Sequence, residues 1–258
     1  MPSSEAPVTI VTGSSRGIGR AVAEALANAG HRLVLVARGA AALEEVAGAL
    51  QSAGAEVLTH SCDLRDPAAV DDVIRTTEGH FGPPDVIVNN AGTAPSDKVE
   101  NTSVEMLQEA FDLHVAAPLA FARACAAQMK QRGSGCLLQL ASTAGLQGYP
   151  YTSAYTAAKH GMVGLTRALH AELSPRKIDV YAVCPGFVDS DITRKAAAAV
   201  AEKGRSTADQ AHDLMGQQNR IGRMHTCEEV AESVLRLLQD RPQGCVFELD
   251  RDPPGFLD

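Results

Sequence analysis

The sequence lacks several features that mark particular classes of protein. It contains no tryptophan, and aromatic residues make up 4% of its 258 residues, which leaves little material for base-stacking platforms or aromatic cages. Asp and Glu outnumber Lys and Arg by 31 to 23, a formal net charge of −8, so the chain has no cationic excess to supply non-specific affinity for nucleic acid. We therefore predict no nucleic-acid partner.

Paired cysteines and long apolar runs are also missing. The six cysteines lie far apart, with no Cys-x-x-Cys pair and no histidine at metal-ligand spacing. No uncharged apolar run reaches the roughly 18 residues of a membrane helix, and residues 1–7 are polar and acidic rather than basic. We predict reduced thiols, no metal site, no membrane attachment and a cytoplasmic location.

The chain alternates short β-branched segments with longer helical patterns. Strands are predicted at 8–12, 33–37, 55–60, 85–89, 136–141, 178–183 and 245–249, and helices at 17–29, 40–53, 67–79, 103–131, 152–173 and 226–239. Pro118 is expected to bend its helix, and residues 187–225 predict a helical excursion without strands. This order indicates one α/β domain over residues 1–258, a Rossmann-type doubly wound parallel sheet with helices on both faces.

A glycine-rich loop separates the first strand from the first helix. Its three glycines let the backbone approach a pyrophosphate, and the open amides at the start of the helix favour an anion. The spacing is Gly-x-x-x-Gly-x-Gly, and its place in a βαβ unit predicts a dinucleotide site rather than an ordinary turn. The loop residues assigned to the cofactor are Gly13, Ser15, Arg16, Gly17, Ile18 and Gly19.

Three residues further along the chain have types that suit acid–base chemistry. Tyr155 and Lys159 lie one helical turn apart, so the ammonium of Lys159 can approach the phenol. A nearby cation favours the phenolate and lowers the phenol pKa, which suits Tyr155 to general acid–base catalysis. Ser142, at the end of a strand, can donate a hydrogen bond to a carbonyl oxygen. Each residue alone would be an ordinary surface or capping residue, but together they predict an active site.

The residue after the second strand bears on the choice of dinucleotide. A carboxylate there would bind the ribose hydroxyls of NAD, whereas this chain has Arg38, a fixed cation that suits a 2′-phosphate. Arg16 is expected to flank the same phosphate. The alternative for Arg38 is a solvated residue at a loop edge. We predict NADP(H) in preference to NAD(H).

These motifs, together with Asn-Asn-Ala-Gly at 89–92, resemble the short-chain dehydrogenase/reductase (SDR) family from residue 8 to about 238. The chain is most similar to the compact branch and to 3-oxoacyl reductases. The resemblance implies hydride transfer between a nicotinamide and a ketone or secondary alcohol, with Lys159 also holding the nicotinamide ribose. It implies that Asp63 meets the adenine amino group beside Leu64, and that Asn89 stabilises the sheet. Further cofactor contacts implied by the resemblance are Asn90, Ala91, Gly92, Tyr155, Lys159, Pro185, Gly186, Val188 and Ser190.

Two places depart from the family pattern. His114 stands where the family has an asparagine whose backbone carbonyl holds a water in a proton relay. It is either a packing residue in a bent helix or a catalytic residue that titrates near neutrality and joins the relay. The C-terminal run 249–258 replaces the family's Asp-Gly-Gly, an end that often builds a subunit interface. We expect a homo-oligomer, with dimer and tetramer both open.

The sequence does not identify the substrate. A helical lid at about 187–217, with residues 144–151, is expected to shape the pocket for a small carbonyl or alcohol compound. A 3-oxoacyl thioester and a cyclic or aryl ketone are both compatible. The alternative function is a dinucleotide-binding regulatory or scaffold subunit with reduced catalysis. Epimerisation on a sugar nucleotide is a third option, but the C-terminal region is short for it.

Overall fold

The computed structural model describes residues 6–202 and 207–257, and its first half repeats a strand–helix unit. The elements there are β1 (Val8–Thr12), α1 (Gly17–Asn28), β2 (Arg32–Ala37), α2 (Ala40–Ser52), β3 (Val57–Ser61), α3 (Pro67–Phe81) and β4 (Val86–Asn89). Local chemistry sets several of these bounds. For example, the Asp66 side chain accepts the Ala68 amide and so caps α3, whose first residue is a proline.

The second half continues the alternation and then adds two helices in succession. Its elements are α4 (Val104–Phe111), α5 (Ala117–Arg132), β5 (Gly135–Leu140), α6 (Ser153–Leu173), β6 (Ile178–Cys184), α7 (Asp191–Glu202), α8 (Ala208–Gly216), α9 (Cys227–Asp240), β7 (Val246–Glu248) and β8 (Gly255–Phe256). The helices α7 and α8 confirm the predicted helical excursion, and residues 203–206 of the predicted lid lie outside the described residues.

Across the described residues the strands form one sheet in the order β3-β2-β1-β4-β5-β6-β7-β8. All pairs are parallel except β7 with β8. The order reverses between β1 and β4, and in open α/β sheets this switch point opens a crevice at the carboxyl ends of the strands. The fold class predicted from the sequence is confirmed.

Helices cover both faces of this sheet. Leu26 of α1, Val46 of α2 and Val230 of α9 belong to the apolar cluster on one face. Val73 of α3 and Phe121 of α5 belong to the cluster on the other face. The inner strands are therefore buried on both sides, which accounts for their continuous apolar sequences. Among the described helices, none has the length and apolarity needed to cross a membrane.

The structure differs from the predicted elements in two places that matter for the site. The helix predicted over 103–131 is interrupted at Asp112–Ala116 by a π-turn, in which the Ala117 amide donates to the Asp112 carbonyl five residues back. Pro118 follows in the first turn of α5 and has no N–H to offer the His114 carbonyl. Strand β8 was not predicted at all, and it covers the outer edge of β7.

Candidate active site

The glycine loop after β1 forms a cradle at the switch point. Gly13 and Gly17 have φ values of +66° and +55°, a region that other residues rarely adopt. A Cβ on Gly19 would overlap the carbonyl oxygen of Gly13, and a Cβ on Gly13 would lie 2.8 Å from Ala91 Cα. Arg16 is the N-cap of α1 and makes no side-chain capping bond, so the first amides of the helix remain open to an anion. This cradle suits the pyrophosphate of a dinucleotide.

Asn90 ties the cradle to β4 through its side-chain amide, a contact that was not predicted from the sequence. Asn90 Nδ2 donates to the carbonyl oxygens of Thr12 and Gly13 at 2.9 and 3.2 Å. Thr12 Oγ1 accepts the backbone amides of Asn90 and Ala91, each at 2.9 Å. Asn89 is buried in β4, and its Nδ2 has no hydrogen-bond partner among the described residues. The sequence analysis also missed Thr12, a hydroxyl residue at the end of the strand before the loop.

A cavity of about 440 Å³ runs along the switch point. Most residues assigned to the cofactor line it, whereas Gly19, Tyr155, Lys159 and the Pro185–Val188 segment do not. The predicted residues on its wall are Gly13, Ser15, Arg16, Gly17, Ile18, Arg38, Asp63, Leu64, Asn90, Ala91, Gly92 and Ser190. The sequence analysis did not assign Arg65 and Glu109, which also line it.

Three arginines line this cavity. Arg38 and Arg16 line it as predicted, and the Arg16 guanidinium lies 3.5 Å from the Asp191 carboxylate. Arg65 contacts Asp63 at 2.7 Å and Glu109 at 3.2 Å, so it bridges the β3–α3 loop and α4. Hydrogen bonds from Arg65 lower the pKa of Asp63 to about 2. Asp63 is therefore ionised and engaged by a neighbour that the sequence analysis overlooked.

The three predicted acid–base residues converge next to this cavity. Ser142 follows β5, and its hydroxyl accepts the Ala144 amide at 3.1 Å. The Ser142 hydroxyl also lies close enough to the phenol of Tyr155 to favour its ionised form. The ammonium of Lys159 lies 5.7 Å from the centre of the Tyr155 ring and donates to the Leu140 carbonyl at 2.6 Å. The helix α6 thus brings Tyr155 and Lys159 to the carboxyl end of β5, as their spacing predicts.

Burial opposes the pKa shift expected for the tyrosine. It raises the pKa of Tyr155 to about 12, although the nearby Ser142 hydroxyl acts in the other direction. Burial also lowers the pKa of Lys159 to about 7, because the ammonium has lost its water. The expected lowering of the phenol pKa by Lys159 is therefore wrong for this structure, in which the ammonium is directed to the Leu140 carbonyl.

His114 is buried against Tyr155 in the π-turn. The two rings are 5.8 Å apart and meet edge-on at 76°. His114 Nε2 donates to the Thr93 carbonyl at 2.9 Å, while Nδ1 is buried with no partner among the described residues. Burial, followed by the charge of Lys159, lowers the pKa of His114 to about 3. The ring is therefore neutral at neutral pH, which argues against the interpretation that it titrates there.

The segment after β6 closes the other side of the site. The Pro185 carbonyl accepts the Thr143 amide at 2.9 Å, which joins this segment to the residue after Ser142. Val188 forms a parallel bridge with His225, and Ser190 Oγ lies 3.3 Å from Thr193 Oγ1. The segment predicted to contact a nicotinamide thus lies beside the serine predicted to bind a carbonyl.

Comparison with known proteins gives consistent matches. Residues 7–201 match the family model described as short chain dehydrogenase. D-beta-hydroxybutyrate dehydrogenase of Rhizobium meliloti is 33% identical over 90% of this chain and 91% of its own. Human 3-oxoacyl-[acyl-carrier-protein] reductase is 32% identical over 90% and 91%. The crystal structure of a variant of actinorhodin polyketide ketoreductase with NADPH has a TM-score of 0.89 and 30% identity, covering 95% of both chains.

Proposed function

The chain belongs to the short-chain dehydrogenase family, and from that premise we propose that it interconverts a ketone and a secondary alcohol with NADP(H) as cofactor. The observation that carries the proposal is the convergence of Ser142, Tyr155 and Lys159 at the carboxyl end of β5. His114 packs on the Tyr155 ring and lies against Gly92, which lines the cavity. An oxidoreductase of this family uses a nicotinamide dinucleotide, which when bound supplies or accepts the hydride.

Tyr155 is proposed as the general acid in the reduction. Its hydroxyl gives a proton to the carbonyl oxygen of the substrate, and the Ser142 hydroxyl donates a hydrogen bond to the same oxygen. The raised pKa of Tyr155 keeps the phenol protonated at neutral pH, which is the form that a reduction requires. Lys159 is proposed to turn from the Leu140 carbonyl toward the phenol during the reaction, so that its ammonium stabilises the phenolate left after proton transfer. The same residue is proposed to hold the nicotinamide ribose.

The preference for NADP(H) over NAD(H) rests on the cations of the cavity. Arg38 and Arg16 are proposed to bind the 2′-phosphate, and both line the cavity. No carboxylate follows β2 to take the ribose hydroxyls, because the residue after Ala37 is Arg38. Asp63 and Leu64 are proposed to lie at the adenine, where Asp63 must share its carboxylate with Arg65.

His114 is proposed to be a packing residue. Its neutral ring supports the Tyr155 ring and fixes the loop that contains Thr93 through Nε2–H. A Cβ on Gly92 would lie 2.6 Å from His114 Cε1, so the Asn-Asn-Ala-Gly segment and the imidazole fit closely. This arrangement holds the wall of the cavity against the catalytic tyrosine without requiring a proton on Nδ1.

The substrate is proposed to enter between the 144–151 loop and a lid at about 187–217, of which residues 203–206 lie outside the described residues. A 3-oxoacyl thioester and a cyclic or aryl ketone remain the two candidate classes. A homo-oligomer is proposed as well. Because β8 pairs with the outer edge of β7, a second copy would have to join at another surface or displace β8.

The test is an initial-rate assay of NADPH and NADH oxidation over a panel of 3-oxoacyl thioesters, diketones and cyclic ketones. We expect turnover with at least one carbonyl, and Tyr155→Phe should lower kcat by at least about a hundredfold while leaving NADPH affinity nearly unchanged. Tyr181→Phe is the control, since Tyr181 is a buried tyrosine of β6 whose hydroxyl donates to the Pro242 carbonyl, outside the proposed site. Saturable NADPH binding without turnover of any carbonyl would instead favour the regulatory or scaffold subunit.

A further inference from the structure

Phe187 forms one wall of the proposed substrate site. It lies between Pro185 and Val188, and its ring meets the Tyr149 ring edge-on at 5.8 Å and 77°. Tyr149 donates its hydroxyl proton to Thr143 Oγ1 at 2.9 Å, and Thr143 directly follows Ser142. Tyr149 is also close enough to the Tyr155 phenol to raise its pKa, so the two rings form an aromatic wall beside the proposed general acid.

A single side chain holds the backbone of Phe187. Asn219 Oδ1 accepts the Phe187 amide at 2.7 Å, and Asn219 Nδ2 donates to the Phe187 carbonyl at 2.8 Å. The second proton of Nδ2 goes to the Arg223 carbonyl at 2.8 Å. Asn219 is only 4% exposed, so water does not readily replace these bonds.

Asn219 packs directly against the backbone at Gly186, which leaves no space for either residue to shift. A Cβ on Gly186 would overlap Asn219 Oδ1 and would lie 3.0 Å from the Asp250 carboxyl carbon. Because the amide and the backbone are in contact, a displacement of Asn219 moves the peptide that carries the Phe187 ring. The position of the aromatic wall thus depends on a residue more than thirty positions away in the sequence.

A buried carboxylate anchors the loop that contains Asn219. Both oxygens of Asp250 accept the Arg220 amide, at 3.0 and 3.2 Å, and His225 Nε2 lies 3.2 Å from Asp250 Oδ1. The His225 amide also donates to the Phe187 carbonyl at 2.9 Å. Asp250 lies just after β7, so the hold on Phe187 is attached to the sheet through the C-terminal segment.

We propose that Asn219 is a positioning residue that sets substrate orientation through Phe187, with Asp250 fixing the loop that carries it. The inference rests on the proposed ketone reduction for its functional consequence, but the hold on Phe187 can be tested without turnover. The informative variant is Asn219→Asp, which preserves the acceptor for the Phe187 amide. It replaces the two N–H donors with an oxygen that faces the carbonyls of Phe187 and Arg223.

The first measurement uses fluorescence, because the chain has no tryptophan of its own. Phe187→Trp introduces a single tryptophan into the wall, which is excited selectively over the four tyrosines, and its acrylamide quenching is compared with and without Asn219→Asp. We expect the quenching constant to rise about two- to threefold in the double variant, because the Phe187 carbonyl loses its bond from residue 219 and residue 219 loses its tie to the Arg223 carbonyl. Equal quenching constants would overturn the proposal that Asn219 positions this residue.

The second measurement uses the wild-type Phe187 and a ketone that the enzyme reduces to a chiral alcohol. Asn219→Asp should raise the KM for the ketone about tenfold and lower the enantiomeric excess of the product, with NADPH affinity within about twofold of wild type. The variant should also gain a new pH dependence. Below the pKa of the introduced carboxyl it regains a donor, so kcat/KM should recover at low pH.

A matched control separates positioning from loss of stability. Val73→Ala shortens a fully buried side chain of α3 and so creates a cavity. Val73 packs on one face of the sheet, and Val230 of α9 packs on the opposite face. We expect Val73→Ala to lower Tm without changing KM or enantiomeric excess. If Asn219→Asp lowers Tm but leaves KM, enantiomeric excess and the pH profile as in wild type, the proposal is overturned. A wild type that reduces no ketone, with quenching changed as expected, would overturn the proposed function and leave the hold on Phe187 supported.

Discussion

Lys159 has a proposed catalytic role, and the burial of its ammonium lowers the free energy of unfolding by an amount that can be measured. The residue is 4% exposed, and burial lowers its pKa from 10.5 to about 7. Between these two values the unfolded chain binds a proton that the folded chain does not, so stability rises with pH in this window. At about 1.4 kcal/mol per pKa unit, the folded state loses roughly 4 kcal/mol at pH 7 relative to pH 11 through this one group.

Lys159→Met should therefore stabilise the fold while abolishing turnover. Loss of the hydrogen bond to the Leu140 carbonyl offsets part of the gain, by about 1–2 kcal/mol, which leaves a net gain of about 2–3 kcal/mol at pH 7. At pH 9 the burial cost of the wild-type ammonium is about 2 kcal/mol, so the gain should nearly vanish.

Urea unfolding of the cofactor-free protein at pH 7 and pH 9, followed by circular dichroism, measures this difference. Lys195→Met is the matched control, because Lys195 is an exposed lysine on α7 and its removal should change stability little at either pH. The argument that the buried ammonium lowers the stability of the fold would be refuted by either of two results. One is an equal effect of Lys159→Met at both pH values, and the other is destabilisation by this substitution at pH 7.

The cofactor cradle gives two further predictions. Arg38→Ser should weaken NADPH binding about tenfold and leave NADH binding nearly unchanged, because only NADPH carries the 2′-phosphate. A fluorescence titration with each dinucleotide measures this difference. Equal weakening of both would contradict the assignment of Arg38 to the 2′-phosphate. Gly19→Ala should abolish binding of both dinucleotides, because the added Cβ overlaps the Gly13 carbonyl. Gly48→Ala is the control, since it adds a Cβ at a helical position with open space and should leave binding unchanged. Wild-type affinity in Gly19→Ala would show that the loop can relax, which would refute the prediction.

Features carried by local spacing were predictable from the sequence, and those made by remote partners were not. The glycine loop and the Tyr155–Lys159 pair lie within single turns or helices, so their periodicity fixed their place at the carboxyl edge of the sheet. The parallel sheet with helices on both faces also followed from the βαβ alternation. Asn219 lies in a stretch without periodicity, and nothing near it in the sequence indicates that its amide will hold Phe187. The same limit applies to β8, whose two residues are too short for a strand pattern.

The pKa shift predicted for Tyr155 was wrong for a related physical reason. Helical spacing predicts that Lys159 and Tyr155 are close, but the sign of the tyrosine shift depends on how much water the fold removes from both groups. That quantity is set by His114, which packs on the Tyr155 ring, and by the residues of β5 and β6 around the site. Burial is a property of the whole fold, so a pairwise argument from the sequence had no access to it.

The unfavourable polar burial in this protein is concentrated at the proposed site. Asn89 and Gln139 are register neighbours at the carboxyl ends of β4 and β5, and both have buried amide atoms without partners among the described residues. His114 Nδ1 is also buried without a hydrogen-bond partner among the described residues. The buried ammonium of Lys159 lies at the Leu140 carbonyl, one residue beyond Gln139 in β5. Each unpartnered group costs about 1–3 kcal/mol, which a stability-optimised core would avoid with apolar residues of similar size. Asn89 and Gln139 lie at the carboxyl edge of the sheet, and His114 and Lys159 contact Tyr155. This placement, while the apolar clusters on both faces of the sheet supply the stability, is what a site shaped for chemistry rather than for folding requires.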